Sequence, residues 1–339
     1  MEIRSKLKKV IQYAEKAESF QRVKNLYQFQ RLMGTDPFRL NYHLNKPLYH
    51  SFRVPKKRGG YRTIQSPNEE LKFIQVKLNI YLQSIYFLHK PTCVHGFVFN
   101  PLGSESSCNI VSNARAHCGK KHLLNMDLQE FFPSISAKQV KESLQRSPFD
   151  LPEELAVIVA LLGSYEKKLP TGAPTSPVLS NIVCLPLDLQ LLEFCSKNEL
   201  VYTRYADDLS FSSDKKISEN ILQELRSMIT HFGFQLNEKK FRLQSSRSRQ
   251  TVTGLVVNQR PNVERKYIRR LRAIVHSIKG MGVELAAAKH YGLTELQQVN
   301  VPKFLRKIKG QIEFVGMVRG RNDAIYRRLK EELAAHQQE

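Results

Sequence analysis

The feature that most constrains this chain is a strand-like stretch interrupted by two adjacent aspartates. Residues 201–206 are rich in β-branched and aromatic side chains, and apolar alternation resumes at residues 209–211, after Asp207 and Asp208. This pattern predicts a β-hairpin with the acidic pair at its turn. Because neighbours on a flat strand point to opposite faces, only a tight turn brings two adjacent carboxylates toward one point.

The Asp pair alone has two interpretations. Aspartate is a common turn residue, and for an isolated pair this is the simpler explanation. Alternatively, two carboxylates directed at one point repel each other unless a cation lies between them, and oxygen-only ligands suit Mg²⁺.

A third acid favours the metal interpretation. Residues 122–127 form a short apolar run that ends at Asp127 and is followed by the aromatic pair Phe131 and Phe132. If this run is a strand beside the hairpin, three carboxylates converge. Three carboxylates holding two metal ions roughly 4 Å apart form the arrangement used for in-line phosphoryl or nucleotidyl transfer.

The motif Tyr-Ala-Asp-Asp at residues 205–208, with Asp127 ahead of it, resembles the catalytic core of reverse transcriptases. Two further motifs resemble signatures of the retron type: Asn-Ala-x-x-His at residues 113–117 and Val-Thr-Gly at residues 252–254. The resemblance covers about residues 50–258 motif by motif. It implies an RNA-directed DNA polymerase that uses two Mg²⁺ ions held by Asp127, Asp207 and Asp208.

The fold that this resemblance implies is α+β, a right-hand polymerase with fingers, an antiparallel-sheet palm and a helical thumb. The fingers would comprise residues 1–117 and about 143–169, the palm residues 118–142 and 170–258, and the thumb residues 259–339. Helical apolar spacing in residues 1–45 predicts one or two helices there.

A basic hairpin precedes the acidic motifs. Two strand-like flanks in residues 52–67 surround a Gly-Gly turn carrying Lys56, Lys57, Arg58 and Arg62, so the hairpin is either a solvated loop or a cover for an anion. The resemblance identifies it as the fingers tip, where Lys56 and Arg62 bind the triphosphate of the incoming nucleotide. Arginine suits this role because its guanidinium binds phosphate oxygens bidentately.

The resemblance assigns three more residues to the nucleotide site. Phe132 would lie beneath the sugar and disfavour a ribose 2′-OH, although Phe131 and Phe132 are also compatible with core packing. Gly172 would let the backbone approach the nucleotide, and Lys240 would assist the leaving pyrophosphate. The family usually has Gln before that glycine, whereas this chain has Thr171, so we expect the usual side-chain contact to be lost.

Charge points to nucleic acid as a partner. Lys plus Arg number 53 against 31 acids, a net charge of +22, although membrane surfaces also attract basic proteins. Helical spacing in residues 263–278 places apolar residues on one face and cations on the other. The residues expected to contact RNA or primer are Asn113, His117, Val252, Thr253, Gly254, Arg265, Lys266, Arg269, Arg270 and Arg272.

Other features favour a cytoplasmic protein without membrane contact. The longest apolar run, residues 155–162, is well below the roughly 20 residues of a membrane helix, and the N-terminus lacks a signal-peptide core. Five scattered cysteines without a C-x-x-C pair predict free thiols, and a zinc site at Cys108, His117 and Cys118 lacks a matching second pair.

The retron resemblance implies a specific product. Such enzymes copy a structured non-coding RNA from their own locus, start from a guanosine 2′-OH, and yield branched RNA-linked single-stranded DNA (multicopy single-stranded DNA) from dNTPs. They act in anti-phage defence with an effector protein, expected to be separate here, and we expect no RNase H or endonuclease domain. The alternatives are another reverse-transcriptase lineage, of group II intron or abortive-infection type, and a catalytically idle RNA-binding scaffold.

Overall fold

The computed structural model describes residues 2–56, 59–99, 107–293 and 299–335. The helices are α1 (Glu2–Gln21), α2 (Leu26–Met33), α3 (Pro37–Asn45), α4 (Glu69–His89), α5 (Ile110–Arg115), α6 (Ala137–Leu144), α7 (Glu153–Leu162), α8 (Ser176–Lys197), α9 (Glu219–His231), α10 (Arg265–Met281), α11 (Val283–Tyr291), α12 (Val301–Arg319) and α13 (Ala324–Ala334). The strands are β1 (Tyr49–Pro55), β2 (Tyr61–Pro67), β3 (His122–Asp127), β4 (Val201–Tyr205), β5 (Asp208–Ser213), β6 (Arg242–Ser245), β7 (Thr251–Val252) and β8 (Leu255–Val256), and a short 3₁₀ turn spans Glu238–Lys240.

The chain forms two compact units. The first comprises Met1–Asn113 and Lys121–Leu243, and the second comprises Ala114–Lys120 and Gln244–Glu339. Mixed helices and antiparallel strands confirm the α+β class. The division into fingers, palm and thumb stays a prediction.

The N-terminal segment contains three helices rather than the one or two expected. Asn25 caps α2 through a hydrogen bond from the Gln28 backbone, and Gly34 ends α2 in the left-handed region at φ 65°. Asp36 then caps α3, with Pro37 in its first turn. Apolar spacing alone predicts fewer and longer helices in this segment. The caps at Asn25, Gly34 and Asp36 divide it into shorter ones.

The predicted hairpin and its neighbouring strand are confirmed. Strands β4 and β5 pair antiparallel, β5 pairs antiparallel with β3, and the sheet order is β4-β5-β3-β6. Leu124 on β3, Leu209 and Phe211 on β5 are fully buried in the core cluster of the first unit. The sheet therefore holds the ends of β3 and β5 rigidly beside each other.

The predicted basic hairpin is formed by β1 and β2, which pair antiparallel from Tyr49 opposite Pro67 to Pro55 opposite Tyr61. The Lys56 backbone N–H donates to the Gly60 carbonyl at 2.9 Å and closes the tip. Lys57 and Arg58 lie outside the described residues.

Helix α8 is the one helix in the described part of the chain that is long and apolar enough to cross a membrane by length and composition. However, 61% of its apolar window is buried inside the protein. Val178, Ile182 and Leu191 belong to the core cluster. Helix α8 is therefore a core helix of the first unit.

The second unit contains the predicted basic helix, α10. Ile268, Leu271, Ile274 and Ile278 are buried along one face of this helix, which confirms its amphipathic pattern. Strands β7 and β8 pair with Thr251 opposite Val256, and Thr253 and Gly254 lie in the turn between them.

Candidate active site

The three predicted aspartates lie at neighbouring strand ends. Asp127 is the last residue of β3 and Asp208 the first residue of β5, and the two are directly opposite in register. Asp207 occupies the turn, where its carbonyl accepts a hydrogen bond from the Leu128 N–H at 3.0 Å. Ala206 has a positive φ of 58°, an uncommon conformation for a non-glycine residue, which lets the chain reverse within two residues.

Burial and mutual repulsion raise the pKa values of two aspartates in this acidic cluster. The pKa of Asp208 is raised to about 6, first by the protein packed around it and then by the charges of Asp207 and Asp127. The pKa of Asp207 is also raised, by burial and then by Asp127, while Lys240 and Arg62 act in the opposite direction. Because the carboxylates destabilise one another's charged forms, a cation bound among them would be favoured.

The ammonium group of Lys240 already places one positive charge beside the acidic cluster. Lys240 Nζ lies 2.6 Å from Asp127 Oδ1. The Asp127 side chain is only 6% exposed, so this ion pair compensates a nearly buried charge. Asn237 orients the same residue, because its backbone N–H donates to the Asp127 carbonyl at 2.8 Å.

The donor set fits a hard divalent ion. Three carboxylates offer only oxygen ligands, which Mg²⁺ prefers. As the side chains stand, no group of three or more His, Cys, Asp or Glu residues in the described ranges is arranged to hold a metal ion. The Lys240 ammonium engages Asp127 instead, so ion binding at all three aspartates would require Asp127 to exchange this partner.

A cavity of about 590 Å³ opens beside the aspartates within the first unit. Its walls combine acidic, basic and aromatic side chains: Lys56, Tyr61, Arg62, Asp127, Phe132, Tyr165, Lys168, Thr171, Asp207 and Lys240 line it. The two predicted triphosphate-binding cations, Lys56 and Arg62, therefore face the same space as two of the predicted metal ligands. A polyanion that carries a divalent ion matches this distribution of charge.

The two adjacent aromatics have different surroundings. Phe131 is 7% exposed and belongs to the core, whereas Phe132 is half-buried and lines the cavity. The ring of Phe132 stacks on Phe97 with centroids 5.8 Å apart and an interplanar angle of 28°. Phe132 therefore presents one side of its ring to the cavity while Phe97 supports it.

Gly172 makes its close approach to protein rather than to the cavity. A Cβ atom at this position would lie 2.5 Å from the carbonyl oxygen of Gln65 and 2.9 Å from the side chain of Ile64. Its neighbour Thr171 lines the cavity. The glycine is thus required for packing against β2, a reason that its sequence motif did not reveal.

The residues expected to contact RNA divide into buried and exposed sets. Asn113, His117 and Val252 are completely buried, so their side chains shape the fold rather than the surface. Thr253 and Gly254 have φ values of 47° and 80° and form the turn between β7 and β8. The five cations of α10 that are expected to contact RNA are all exposed: Arg265, Lys266, Arg269, Arg270 and Arg272.

Sequence reasoning missed a buried ion pair behind the turn. Arg204 on β4 and Asp188 on α8 are both fully buried, with Arg204 Nη2 lying 2.6 Å and Nε 2.8 Å from the two oxygens of Asp188. Tyr202 Oη also donates to Asp188 at 2.9 Å. The available signal was a pair of opposite charges, with Asp188 inside the apolar run of residues 182–189 and Arg204 in the middle of a strand.

Comparison with known proteins shows the family of this chain. Residues 54–306 match the family model described as "Reverse transcriptase (RNA-dependent DNA polymerase)". The chain is 34% identical over 231 residues to the retron Ec86 reverse transcriptase of Escherichia coli, an alignment covering 66% of this chain and 67% of the relative. It is 32% identical over 268 residues to the retron Mx162 reverse transcriptase of Myxococcus xanthus, covering 68% of this chain and 53% of the relative. The Mx65 enzyme of the same organism is 32% identical over 250 residues, covering 67% of this chain and 55% of the relative.

The chain belongs to the reverse transcriptase family. The three relatives compared above are retron reverse transcriptases. It spans about half the length of the two Myxococcus xanthus relatives.

Proposed function

We propose that this protein is an RNA-directed DNA polymerase that copies a structured RNA into DNA. The observation that carries the proposal is the convergence of Asp127, Asp207 and Asp208 at paired strand ends, beside a cavity that Lys56 and Arg62 also line. Carboxylates and cations facing one space suit a nucleoside triphosphate with its divalent ions.

In this proposal each side of the cavity has a separate task. Arg62 and Lys56 bind the triphosphate of an incoming dNTP, and Phe132 lies against its sugar. Asp127, Asp207 and Asp208 would hold two Mg²⁺ ions, which when bound lower the pKa of the primer hydroxyl and stabilise charge on the leaving pyrophosphate. Lys240, already beside Asp127, is placed to neutralise charge as the pyrophosphate leaves.

The retron-type relatives support a more specific proposal for template and product. The protein binds a structured non-coding RNA encoded at its own locus and primes synthesis from a guanosine 2′-OH. The product is branched RNA-linked single-stranded DNA. We further propose that it works in the cytoplasm, with a separate effector protein, in defence against phage.

The exposed cations of α10 support RNA binding. The first turn of α10 contains no acid, and six exposed cations lie along the helix. The helix therefore offers phosphate contacts over several turns.

Primer extension tests this proposal. The purified protein is incubated with its co-purifying nucleic acid and labelled dNTPs, with and without Mg²⁺, and the products are treated with RNase and sequenced. The proposal expects Mg²⁺-dependent DNA synthesis whose product remains joined to RNA through a bond at a guanosine 2′ position. DNA synthesis from an annealed 3′-hydroxyl primer alone would favour another reverse-transcriptase lineage, and RNA binding without synthesis would indicate an idle scaffold.

A further inference from the structure

A buried polar network begins directly behind the Asp207–Asp208 turn. The guanidinium of Arg204 is fully enclosed, and its Nη1 donates to the carbonyl of Ala206 at 3.2 Å and to Asn181 Oδ1 at 3.0 Å. Ala206 immediately precedes Asp207. The orientation of the turn therefore depends on where Asn181 and Arg204 sit.

Asn181, on α8, extends this network in the opposite direction. Its Nδ2 donates to the carbonyls of Gly96 at 3.1 Å and Phe97 at 3.2 Å. The residue is completely buried, so each of these hydrogen bonds is shielded from water. One side-chain amide thus has its acceptor toward the acidic turn and its donor toward the Phe97 backbone.

The segment that carries Phe97 follows β4 closely. The Arg204 N–H donates to the Cys93 carbonyl at 2.8 Å, and the His95 N–H donates to the Arg204 carbonyl at 2.9 Å. A Cβ atom at Gly96 would lie 2.6 Å from the Ala206 nitrogen, so only glycine fits against the turn. A shift of the turn would therefore be transmitted to Phe97.

Phe97 in turn supports Phe132. It has a positive φ of 59°, and its carbonyl accepts hydrogen bonds from Asn181 Nδ2 and from Gln83 Nε2, the latter at 2.8 Å. An uncommon backbone conformation persists where the surroundings over-determine it. Because the rings of Phe97 and Phe132 stack at 5.8 Å, these two donors also determine where the Phe132 ring meets the cavity.

We infer that Asn181 is a positioning residue that fixes the acidic turn and the Phe132 ring relative to each other. One buried amide then sets both the divalent-ion requirement and the discrimination between deoxyribose and ribose. This inference rests on the proposed polymerase function, and it concerns a residue that does not line the cavity.

Two substitutions separate the hydrogen bond that Asn181 accepts from Arg204 from the hydrogen bonds that it donates to Gly96 and Phe97. Asn181→Asp keeps an oxygen toward Arg204 but replaces the Nδ2 donor with an oxygen that repels the carbonyls of Gly96 and Phe97. Asn181→Leu keeps the branching at Cγ and the number of heavy atoms, but it removes both the acceptor toward Arg204 and the donor toward Gly96 and Phe97. The matched control is Asn198→Asp near the end of the same helix, where Nδ2 also donates to a backbone carbonyl, that of Phe194 at 2.9 Å, away from the cavity.

The readouts are kcat/KM for a dNTP and for the corresponding rNTP, the Mg²⁺ concentration at half-maximal rate, and the melting temperature. Asn181→Asp is expected to lower the dNTP preference on the order of tenfold while moving the Mg²⁺ midpoint little. Asn181→Leu is expected to lower the preference similarly and also raise the Mg²⁺ midpoint severalfold, since a misplacement of about 1 Å is costly to catalysis. Asn198→Asp should change neither the ratio of kcat/KM for the dNTP to kcat/KM for the rNTP nor the Mg²⁺ midpoint.

Equal slowing of both nucleotides with an unchanged Mg²⁺ midpoint would overturn the inference, because it would mean that Asn181 only stabilises the fold. If both Asn181 variants fail to fold, Gln83→Leu decides, since it removes the other donor to Phe97. The inference expects it to lower the dNTP preference at an unchanged Mg²⁺ midpoint, and an unaltered preference overturns it. A wild-type protein inactive with Mg²⁺ would instead refute the polymerase function itself.

Discussion

Lys240 and Asp127 are 113 residues apart in the chain, yet their side chains form a 2.6 Å ion pair at the end of β3. The lysine comes from a 3₁₀ turn and is half exposed, while the aspartate is nearly buried. The Lys240 ammonium thus neutralises part of the negative charge of the acidic cluster. A divalent ion bound by Asp127 would compete with this ammonium.

This competition gives a thermal-stability prediction for Lys240→Met. Without divalent ions, the variant should melt below wild type because Asp127 loses its partner. Adding Mg²⁺ should raise the melting temperature of the variant more than that of wild type, since the ion no longer displaces an ammonium. Lys239→Met, one residue earlier in the same turn, is the control and should respond to Mg²⁺ like wild type. Equal stabilisation of Lys240→Met and wild type would contradict the competition.

The second prediction concerns Phe132. Replacing its ring with the smaller side chain in Phe132→Leu should admit a ribose 2′-OH and increase ribonucleotide incorporation relative to deoxyribonucleotide, by roughly 10- to 100-fold. Single-nucleotide incorporation kinetics measure this ratio. Phe131→Leu is the matched control: it should lower the free energy of unfolding through lost core packing but leave the ratio intact. An unchanged ratio of ribonucleotide to deoxyribonucleotide incorporation in Phe132→Leu would mean that Phe132 does not contact the sugar.

The buried ion pair yields a prediction about folding free energy. Arg204→Met leaves the Asp188 carboxylate enclosed without its countercharge, which should cost about 3–5 kcal/mol. The double variant Asp188→Leu with Arg204→Met removes both charges and should be more stable than Arg204→Met alone. Urea unfolding monitored by circular dichroism measures both. A double variant less stable than the single one would mean that the pair contributes mainly through packing.

The fourth prediction tests α10 as an RNA-binding surface. If Arg269 and Arg270 contact phosphates, the paired change Arg269→Gln with Arg270→Gln should weaken RNA binding and lower the slope of log K against log salt by about 0.7–0.9 per contact. Binding is measured by filter retention across a salt series. Arg327 and Arg328 on α13 are also exposed, and the same change at this pair controls for net charge. Identical slopes for the two double variants would indicate non-specific attraction only.

Local sequence patterns predicted the elements that carry the acidic residues. The strand propensity on both sides of Asp207 and Asp208 was sufficient for the β4–β5 hairpin, and the apolar run ending at Asp127 was sufficient for β3. Whether β3 lies beside the β4–β5 hairpin depends on the order of strands in the sheet, and the periodicity of the sequence does not encode that order. The register that places Asp127 opposite Asp208 emerges only in the assembled sheet.

The features that sequence did not provide depend on contacts between distant residues. In the sequence, Arg204 is indistinguishable from a surface charge on a strand. In the structure its guanidinium is fully buried, because Asp188 and Asn181 on α8 accept its hydrogen bonds. Gly172 was interpreted through its motif, whereas its Cβ would collide with the backbone of Gln65. Side-chain pairing of this kind follows from the fold and not from local residue type.

The most direct test of the central claim is primer extension by Asp207→Asn. The substitution keeps the shape of the turn but removes one of the three carboxylates proposed to hold the catalytic ions. With Asp214→Asn, an exposed acid just beyond β5, as control, RNA affinity is measured in parallel. We expect Asp207→Asn to bind RNA as wild type does but to incorporate no nucleotide above background, whereas Asp214→Asn stays active. Full-length complementary DNA made by Asp207→Asn would contradict the proposed metal site.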